Sequence, residues 1–302
     1  MKVVLFGQAA FAEKVLEGLL ARGHDVLAVY CPPDREGRED PLKKKAREKG
    51  IPVRQYASLK RPEVAEELRA TAAELGVLAY VTQIVPREVF SAPRLGSICF
   101  HPSLLPAYRG GSAIPWQIIK GETRTGVTVF WVDEGIDTGP ILLQREATID
   151  PDDTAGTLYY RKLFPLGVEA VLDAVDLVSR GEAPRIPQDE TKASYDPLCR
   201  DEHARVDWNR NVRELYDLVR GCDPQPGAHT EWKGRKLRFY DARPVEGTFR
   251  PGVVEALSPE GMVVGARGGG LRFGRLRWGE GEKKSAAEVA REIGLEVGSS
   301  LA

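Results

Sequence analysis

One histidine and one aspartate stand out as residues able to move protons. His101 closes the apolar run Ser97-Ile98-Cys99-Phe100, and Asp137 follows a second run, Val127-Thr128-Val129-Phe130-Trp131-Val132, across Asp133-Glu134-Gly135-Ile136. An imidazole that titrates near neutral pH, set beside a carboxylate, makes a general acid–base pair. Polar groups just past strand ends in an α/β protein face its ligand crevice. Plainer readings stand beside this one. A lone histidine is more often structural, and two acids punctuated by Gly135 and Gly139 can be a loop and nothing more. His101, however, precedes Pro102, which biases it toward extended backbone. Next comes a shaped loop, Ser103-Leu104-Leu105-Pro106 and then Tyr108-Arg109-Gly110-Gly111. The block from 101 to 142 reads as an active-site signature.

An α/β frame has to hold these groups. Residues 2–7 form a short β-type run, and 9–22 carry helical apolar spacing at Phe11, Val15, Leu16 and Leu19. A second strand over 26–31 stops at Pro32-Pro33, and 41–49 suits a basic helix with proline in its first turn. An extended piece starts at Val53, and 63–75 is helical. The runs 77–82 and 97–100 complete a βαβα series of nearly all-apolar strands, the pattern of a buried parallel sheet. After the start signal Asp152-Asp153-Thr154, one long helix is predicted to about Ser179. Residues 183–204 are rich in Pro, Asp and Arg and read as a linker. Beyond them 212–219 looks helical. Short alternating runs at 236–240, 252–257, 262–266 and 271–278, broken by glycine, suggest a small barrel, closed by a helix over 285–292.

Other features bound the function. Gly7-Gln8-Ala9-Ala10-Phe11 lacks the second and third glycines of GxGxxG, so it reads first as a tight turn and second as a helix N-terminus holding an anion. Lys43-Lys44-Lys45 with Arg47 reads first as a solvated helix face and second as a phosphate contact, diluted by the mixed charges of 34–40. The formal net charge of −1 gives no global argument for nucleic-acid binding. Four scattered cysteines, Cys31, Cys99, Cys199 and Cys222, form no CxxC and no zinc-like spacing, so buried thiols and no metal site are expected. The start MKVVLFGQAAFAEK turns polar too soon for a signal peptide, and no apolar run reaches membrane-spanning length, so a soluble cytoplasmic protein is expected.

HPSLLPAYRG followed by DEGIDTGPIL resembles the folate-dependent formyltransferases, and the resemblance runs over essentially the whole chain. The SLLP segment and the D-x-G-x-D-T-G segment are its most specific features. Val206-Asp207-Trp208, Asp223-Pro224-Gln225-Pro226-Gly227-Ala228 and Lys283-Lys284-Ser285-Ala286-Ala287-Glu288 with Gly294-Leu295 resemble the C-terminal domain of methionyl-tRNA formyltransferases. The resemblance implies an α/β protein. A Rossmann-like catalytic domain with a mainly parallel sheet would span 1–185, a linker 186–204, and a smaller OB-like β-barrel 205–302. It implies His101 and Asp137 as catalytic residues and 10-formyltetrahydrofolate as formyl donor, with no metal. The folate would lie against Gln83, Ile84 and Val85, against Ser103, Leu104 and Leu105, and against Val132, Asp133 and Gly135.

One position departs from the pattern. The transferases carry asparagine two residues before the histidine as a third catalytic group, and this chain has Cys99 there. The hydrolase domain of 10-formyltetrahydrofolate dehydrogenase also lacks that asparagine. Phe130-Trp131-x-Asp133 and Leu158-Tyr159-x-Arg161-x-Leu163-Phe164-Pro165 look more like that domain, although no counterpart of its carrier or dehydrogenase domains is found. The implied chemistry is attack on the formyl carbon. Protonated His101 would stabilise the oxyanion and Asp137 would accept the nucleophile's proton. The acceptor expected is the amine of methionyl-tRNA on a monomeric enzyme, with 43–47 and Lys233, Arg235, Lys236 and Arg238 as phosphate contacts. From Arg200 onward 18 Lys and Arg face 16 Asp and Glu, a weak electrostatic case for RNA. The alternatives are water, giving a hydrolase that releases formate, and an amino sugar.

Overall fold

Strands that are apolar on both faces have to sit inside a sheet, and the first half of the chain supplies five candidates. The computed structural model describes residues 1–34 and 37–301, so Arg35 and Glu36 of the mixed-charge stretch lie outside the described residues. The first half runs β1 (Lys2–Gly7), α1 (Ala9–Ala21), β2 (Asp25–Cys31), α2 (Pro41–Glu48), β3 (Val53–Gln55), α3 (Pro62–Ala70), β4 (Leu75–Ala79), α4 (Arg87–Phe90), β5 (Ser97–His101), α5 (Ala113–Ile119), β6 (Arg124–Trp131) and β7 (Ile141–Thr148). There follow α6 (Ala155–Leu158), α7 (Phe164–Ser179), α8 (Val212–Gly221), β8 (His229–Trp232), β9 (Arg235–Val245), β10 (Val254–Ser258), β11 (Gly261–Ala266), β12 (Gly269–Trp278), β13 (Lys284–Ser285) and α9 (Ala286–Ile293). The chain divides into two units, 1–111 with 125–147 and 161–195, and 112–124 with 148–160 and 196–302.

The first unit is a seven-stranded mixed sheet in the order β3-β2-β1-β4-β5-β6-β7. Its β1–β5 pairings are parallel, and β6 runs antiparallel to β5. Val3, Val4, Leu5, Leu75, Val77 and Ala79 are fully buried, as central strands covered on both faces require. Strand order reverses between β1 and β4, the switch point at which such sheets open a crevice at their carboxyl ends.

Gly7 closes β1 because nothing larger fits. A Cβ there would lie 2.2 Å from the Ala79 carbonyl oxygen. The anion expected in second place at this turn is the chain's own. The Ala9 amide donates to Asp40 Oδ2 at 2.8 Å, while Asp40 Oδ1 caps α2 through the Leu42 amide at 2.9 Å.

The helix expected from 154 to 179 is broken. A π turn at Tyr159–Leu163 separates α6 from α7, and Pro165, lacking an N–H, begins the second helix. Residues 62–75 split between α3 and β4 because Ala72 takes a left-handed φ of 54°. The stretch expected as a linker, with its boundary at 185, carries structure. Ile186 exchanges amide bonds with Ile141, and Ser194 bonds to Pro106 and Arg109, so the first unit continues to Tyr195.

The second unit carries a six-stranded antiparallel sheet, β10-β11-β12-β9-β8 with β13 on β12, the smaller β domain that the glycine-broken runs predict. Trp208, Phe239 and Phe273 form its aromatic centre, with Phe239 and Phe273 centroids 4.6 Å apart. Strand β8 escapes the periodicity because His229-Thr230-Glu231-Trp232 does not alternate apolar with polar residues. Among the described residues no helix is long and apolar enough to cross a membrane.

Candidate active site

His101 ends β5 and is 5% exposed. Its Nε2 lies 2.7 Å from the Tyr108 carbonyl oxygen, which can only accept, so Nε2 carries a proton. Nδ1 is thereby turned toward Asp137, whose Oδ2 is 3.5 Å away. That separation exceeds a direct hydrogen bond and leaves Nδ1 available to a ligand. The same Oδ2 accepts the Gly110 amide at 2.8 Å, which fixes the carboxylate.

Asp137 has φ 56°, a left-handed value that costs a non-glycine residue on the order of 1–3 kcal/mol and gathers at functional sites. The D-x-G-x-D-T-G segment shows how it is held. Asp133 Oδ1 accepts from the Gly135 amide at 3.1 Å and from the Thr138 hydroxyl at 2.6 Å, closing a small loop. A Cβ on Gly135 would strike Thr138 Oγ1 at 1.9 Å, and one on Gly139 would strike the Trp131 carbonyl oxygen at 1.7 Å. Both glycines are therefore packing requirements of the loop that presents Asp137.

Residues missed in the sequence complete this arrangement. Gln188 Nε2 donates to the carbonyl oxygens of Asp137 at 2.9 Å and Gly139 at 2.7 Å. Its Oε1 accepts from Arg109 Nη2 at 2.7 Å and Nε at 3.2 Å. Arg109 is buried and also grips Glu190 with both terminal nitrogens. The Glu190 carboxylate raises the Arg109 pKa, and the charges of Asp137 and Asp133 add to it. Ser194 receives the Tyr108 amide on its hydroxyl at 2.8 Å. The sole sequence signal was negative, since a polar glutamine in a Pro- and Asp-rich stretch has no periodicity to read.

The expected folate residues separate into two groups. Val85, Val132 and Cys99 all pack against one apolar cluster containing Val4, Phe6 and Leu78, which brings the 83–86 and 132–137 loops together beside β5. Arg87 and Glu134 join the same loops by an ion pair of 2.7 Å. Ile84 and Ile136 are exposed at 67% and 52%, which leaves much of two apolar side chains open. Gln83 serves the frame, accepting the Leu59 amide at 3.0 Å and donating to the Tyr56 carbonyl at 3.2 Å. Ser103, Leu104 and Leu105 form the second group and point inward. The Ser103 hydroxyl donates to the Ala107 carbonyl at 2.7 Å, Leu105 is buried, and Leu104 fills the space left by Gly126. These three shape the loop beneath His101.

Cys99 shares the strand face of His101, two residues away. Burial, and then the charge of Asp137, push its thiol well above the ordinary 9.0, so it is a neutral group beside His101 and Asp137. Among the described residues no three His, Cys, Asp or Glu side chains group to hold a metal ion.

The expected phosphate contacts are engaged within their own units. Lys43 pairs with Asp34, Lys45 with Glu17 at 3.0 Å and Arg47 with Glu39 at 2.9 Å. Lys236 and the buried Arg238 share Asp201. Lys233 donates to the Ile293 carbonyl at 2.8 Å, and Arg235 lies over the Trp278 ring. Lys44 is exposed.

The Formyl transferase family profile matches residues 1–175, and that of the Formyl transferase C-terminal domain matches 199–294. The chain belongs to the formyl transferase family. The cytosolic 10-formyltetrahydrofolate dehydrogenase of Homo sapiens is 42% identical over 272 residues, which cover 84% of this formyl transferase chain and 30% of the dehydrogenase. The chain thus spans about a third of the length of the dehydrogenases it matches. The methionyl-tRNA formyltransferase of Geotalea uraniireducens is 38% identical over 290 residues, covering 94% of this chain and 92% of that one. The fold is also that of HypX from Aquifex aeolicus in complex with tetrahydrofolic acid, with a TM-score of 0.73 at 23% identity over 98% of this chain and 48% of that one.

Proposed function

We propose that this formyl transferase chain hydrolyses 10-formyltetrahydrofolate, releasing formate and tetrahydrofolate. The observation that carries the reading is the pairing of most of the basic side chains expected as phosphate contacts. Lys43, Lys45, Arg47, Lys236 and Arg238 are each matched to a carboxylate, which leaves a weak footing for a polyanionic acceptor. Water needs no such footing. The likeness to 10-formyltetrahydrofolate dehydrogenases supports the same choice. So does Cys99, a thiol and weak donor where the amine-formylating relatives are expected to carry an amide.

The residues present suit the donor. A flat ring system needs an apolar slot, and Val85 and Val132 on adjoining loops, with Ile84 and Ile136 largely exposed, offer apolar surface beside Cys99 on the strand that ends in His101. Asp137 accepts a proton from water as its oxygen attacks the formyl carbon. In the imidazolium form both ring nitrogens of His101 donate, and with Nε2 held by the Tyr108 carbonyl the Nδ1–H meets the tetrahedral oxyanion. Collapse breaks the bond from carbon to N10, and N10 takes up the proton held by Asp137. Formate and tetrahydrofolate leave, and the formic acid proton passes to solvent.

Transfer to methionyl-tRNA, the acceptor expected from sequence, stands second, on the likeness to a methionyl-tRNA formyltransferase over nearly its full length. Incubation with 10-formyltetrahydrofolate, with and without charged initiator tRNA, separates the two. Hydrolysis predicts steady formate release that tRNA does not change. Formation of formyl-methionyl-tRNA with no formate release in its absence would overturn the hydrolase reading.

A further inference from the structure

We propose that Gln188 is a positioning residue for Asp137, holding its backbone in the left-handed conformation from which the carboxylate meets His101. The proposal rests on His101 and Asp137 being the acid–base pair of the reaction above. A primary amide has one acceptor end and one donor end, and here each end is committed. Oε1 takes two N–H groups of Arg109, so Nε2 has to face the carbonyl oxygens of Asp137 and Gly139. Arg109 cannot donate its proton away, so it locks the amide against a flip. Arg109 is itself held by the bidentate contact to Glu190.

The grip is specific to the backbone on either side of Thr138. Gln188 touches the carbonyl of the left-handed residue and that of the glycine packed on Trp131, the two points at which the loop would otherwise relax. Asp137 then needs the Gly110 amide alone to aim its carboxylate. The groups that set the local field are His101, Arg109, Asp133 and Cys99, and Gln188 adds no charge to them.

Two variants separate positioning from anchoring. Gln188→Glu keeps an acceptor for Arg109 and the shape of the side chain, but it replaces both donations to carbonyls with repulsion. Gln188→Ala removes everything. If Gln188 positions Asp137, both variants lose on the order of tenfold or more in kcat while the folate KM stays within about twofold. Arg109→Lys then costs less kcat in the Gln188→Ala background than in the wild type, because its reach to Asp137 runs through Gln188 while the Glu190 contact is separate. A Gln188→Glu protein with wild-type kcat overturns the proposal, since it would mean that Arg109 pairing alone suffices.

A second measurement is independent of the acceptor. The chain has four histidines, so the ring nitrogens of His101 can be followed by NMR and assigned with His101→Asn. Displacement of Asp137 in Gln188→Glu should shift the Nδ1 resonance of His101. An unchanged resonance counts against the proposal. A wild-type protein that binds 10-formyltetrahydrofolate and releases no formate defeats the hydrolase reading instead, and the NMR comparison still decides for or against Gln188.

Discussion

Nδ1 of His101 stands 3.5 Å from Oδ2 of Asp137, and that oxygen is already bonded to the Gly110 amide. The carboxylate is therefore fixed by the Gly110 backbone and the imidazole by the Tyr108 carbonyl, with no direct hydrogen bond between the two. Removal of either member should leave the loop in place and remove the chemistry. His101→Ala and Asp137→Asn are expected to lower turnover by about a hundred- to a thousand-fold, the usual loss of one preorganised donor or its partner. Asparagine can still accept the Gly110 amide, so folate binding should survive. Near-normal formate release by either variant in single-turnover assays would sink the mechanism.

Cys99 offers a test of acceptor choice. Its thiol is neutral and lies on the strand face of His101. Cys99→Asn restores a strong donor there and is expected to raise the ratio of formyl transfer to hydrolysis when an amine is supplied. The amide needs a second partner to avoid a buried-polar cost of about 1–3 kcal/mol, so the melting temperature should fall modestly. A well-folded variant with an unchanged ratio would remove Cys99 from the reaction.

Gly139 reports on how tightly the Asp137 loop is packed. A Cβ there meets the Trp131 carbonyl oxygen at 1.7 Å, and backbone cannot move aside as a flexible side chain can. Gly139→Ala should destabilise the fold by about 1–3 kcal/mol, as overpacking does. It should also lower kcat at least tenfold, because Asp137 is two residues away. A thermal melt and a rate measurement on the same sample check both, and full activity would show that the loop tolerates displacement.

His229 predicts a pH dependence of stability in the second unit. Burial lowers its pKa below the ordinary 6.5, with Asp201 pulling it back up and Lys236 and Arg238 adding to the fall. A depressed folded value means that the unfolded chain binds the proton more readily. The contribution to stability is therefore full above about pH 6.5 and is lost as pH falls below it, through the folded pKa. The melting temperature should drop between pH 7.5 and 5.5, by a few degrees or so. His229→Gln should flatten that slope, and an unchanged slope would assign the pH dependence elsewhere.

The sheet, the second β unit and the pairing of His101 with Asp137 were legible because each leaves a periodic or motif signal. Apolar runs mark β1, β4 and β5, and the glycines of 135 and 139 mark a turn. What escaped was made of contacts between residues distant in sequence. Gln188 and Ser194 lie in a stretch whose composition suits a linker, and their importance depends on partners some fifty to ninety positions away. Asp40 was hidden in the same way, since nothing local shows that its carboxylate meets the Ala9 amide. The inward-facing Ser103 and Leu105 illustrate the converse, a conspicuous motif whose side chains serve the loop itself.

Tyr108, Arg109 and Gly110 are consecutive, and each holds a different part of the proposed acid–base pair. The Tyr108 carbonyl holds the His101 ring, the Gly110 amide holds the Asp137 carboxylate, and Arg109 reaches the Asp137 backbone through Gln188. The part of the site around His101 and Asp137 is in this sense a closed circuit, whose parts answer mainly to one another. Cys99 stands beside that circuit, and its thiol contacts the Phe100 carbonyl at 3.5 Å, outside it. On the proposed mechanism, the residue that would set the acceptor thus stands apart from those that would move the proton, so an exchange at this one position on β5 is expected to retune the acceptor without disturbing the contacts around His101 and Asp137.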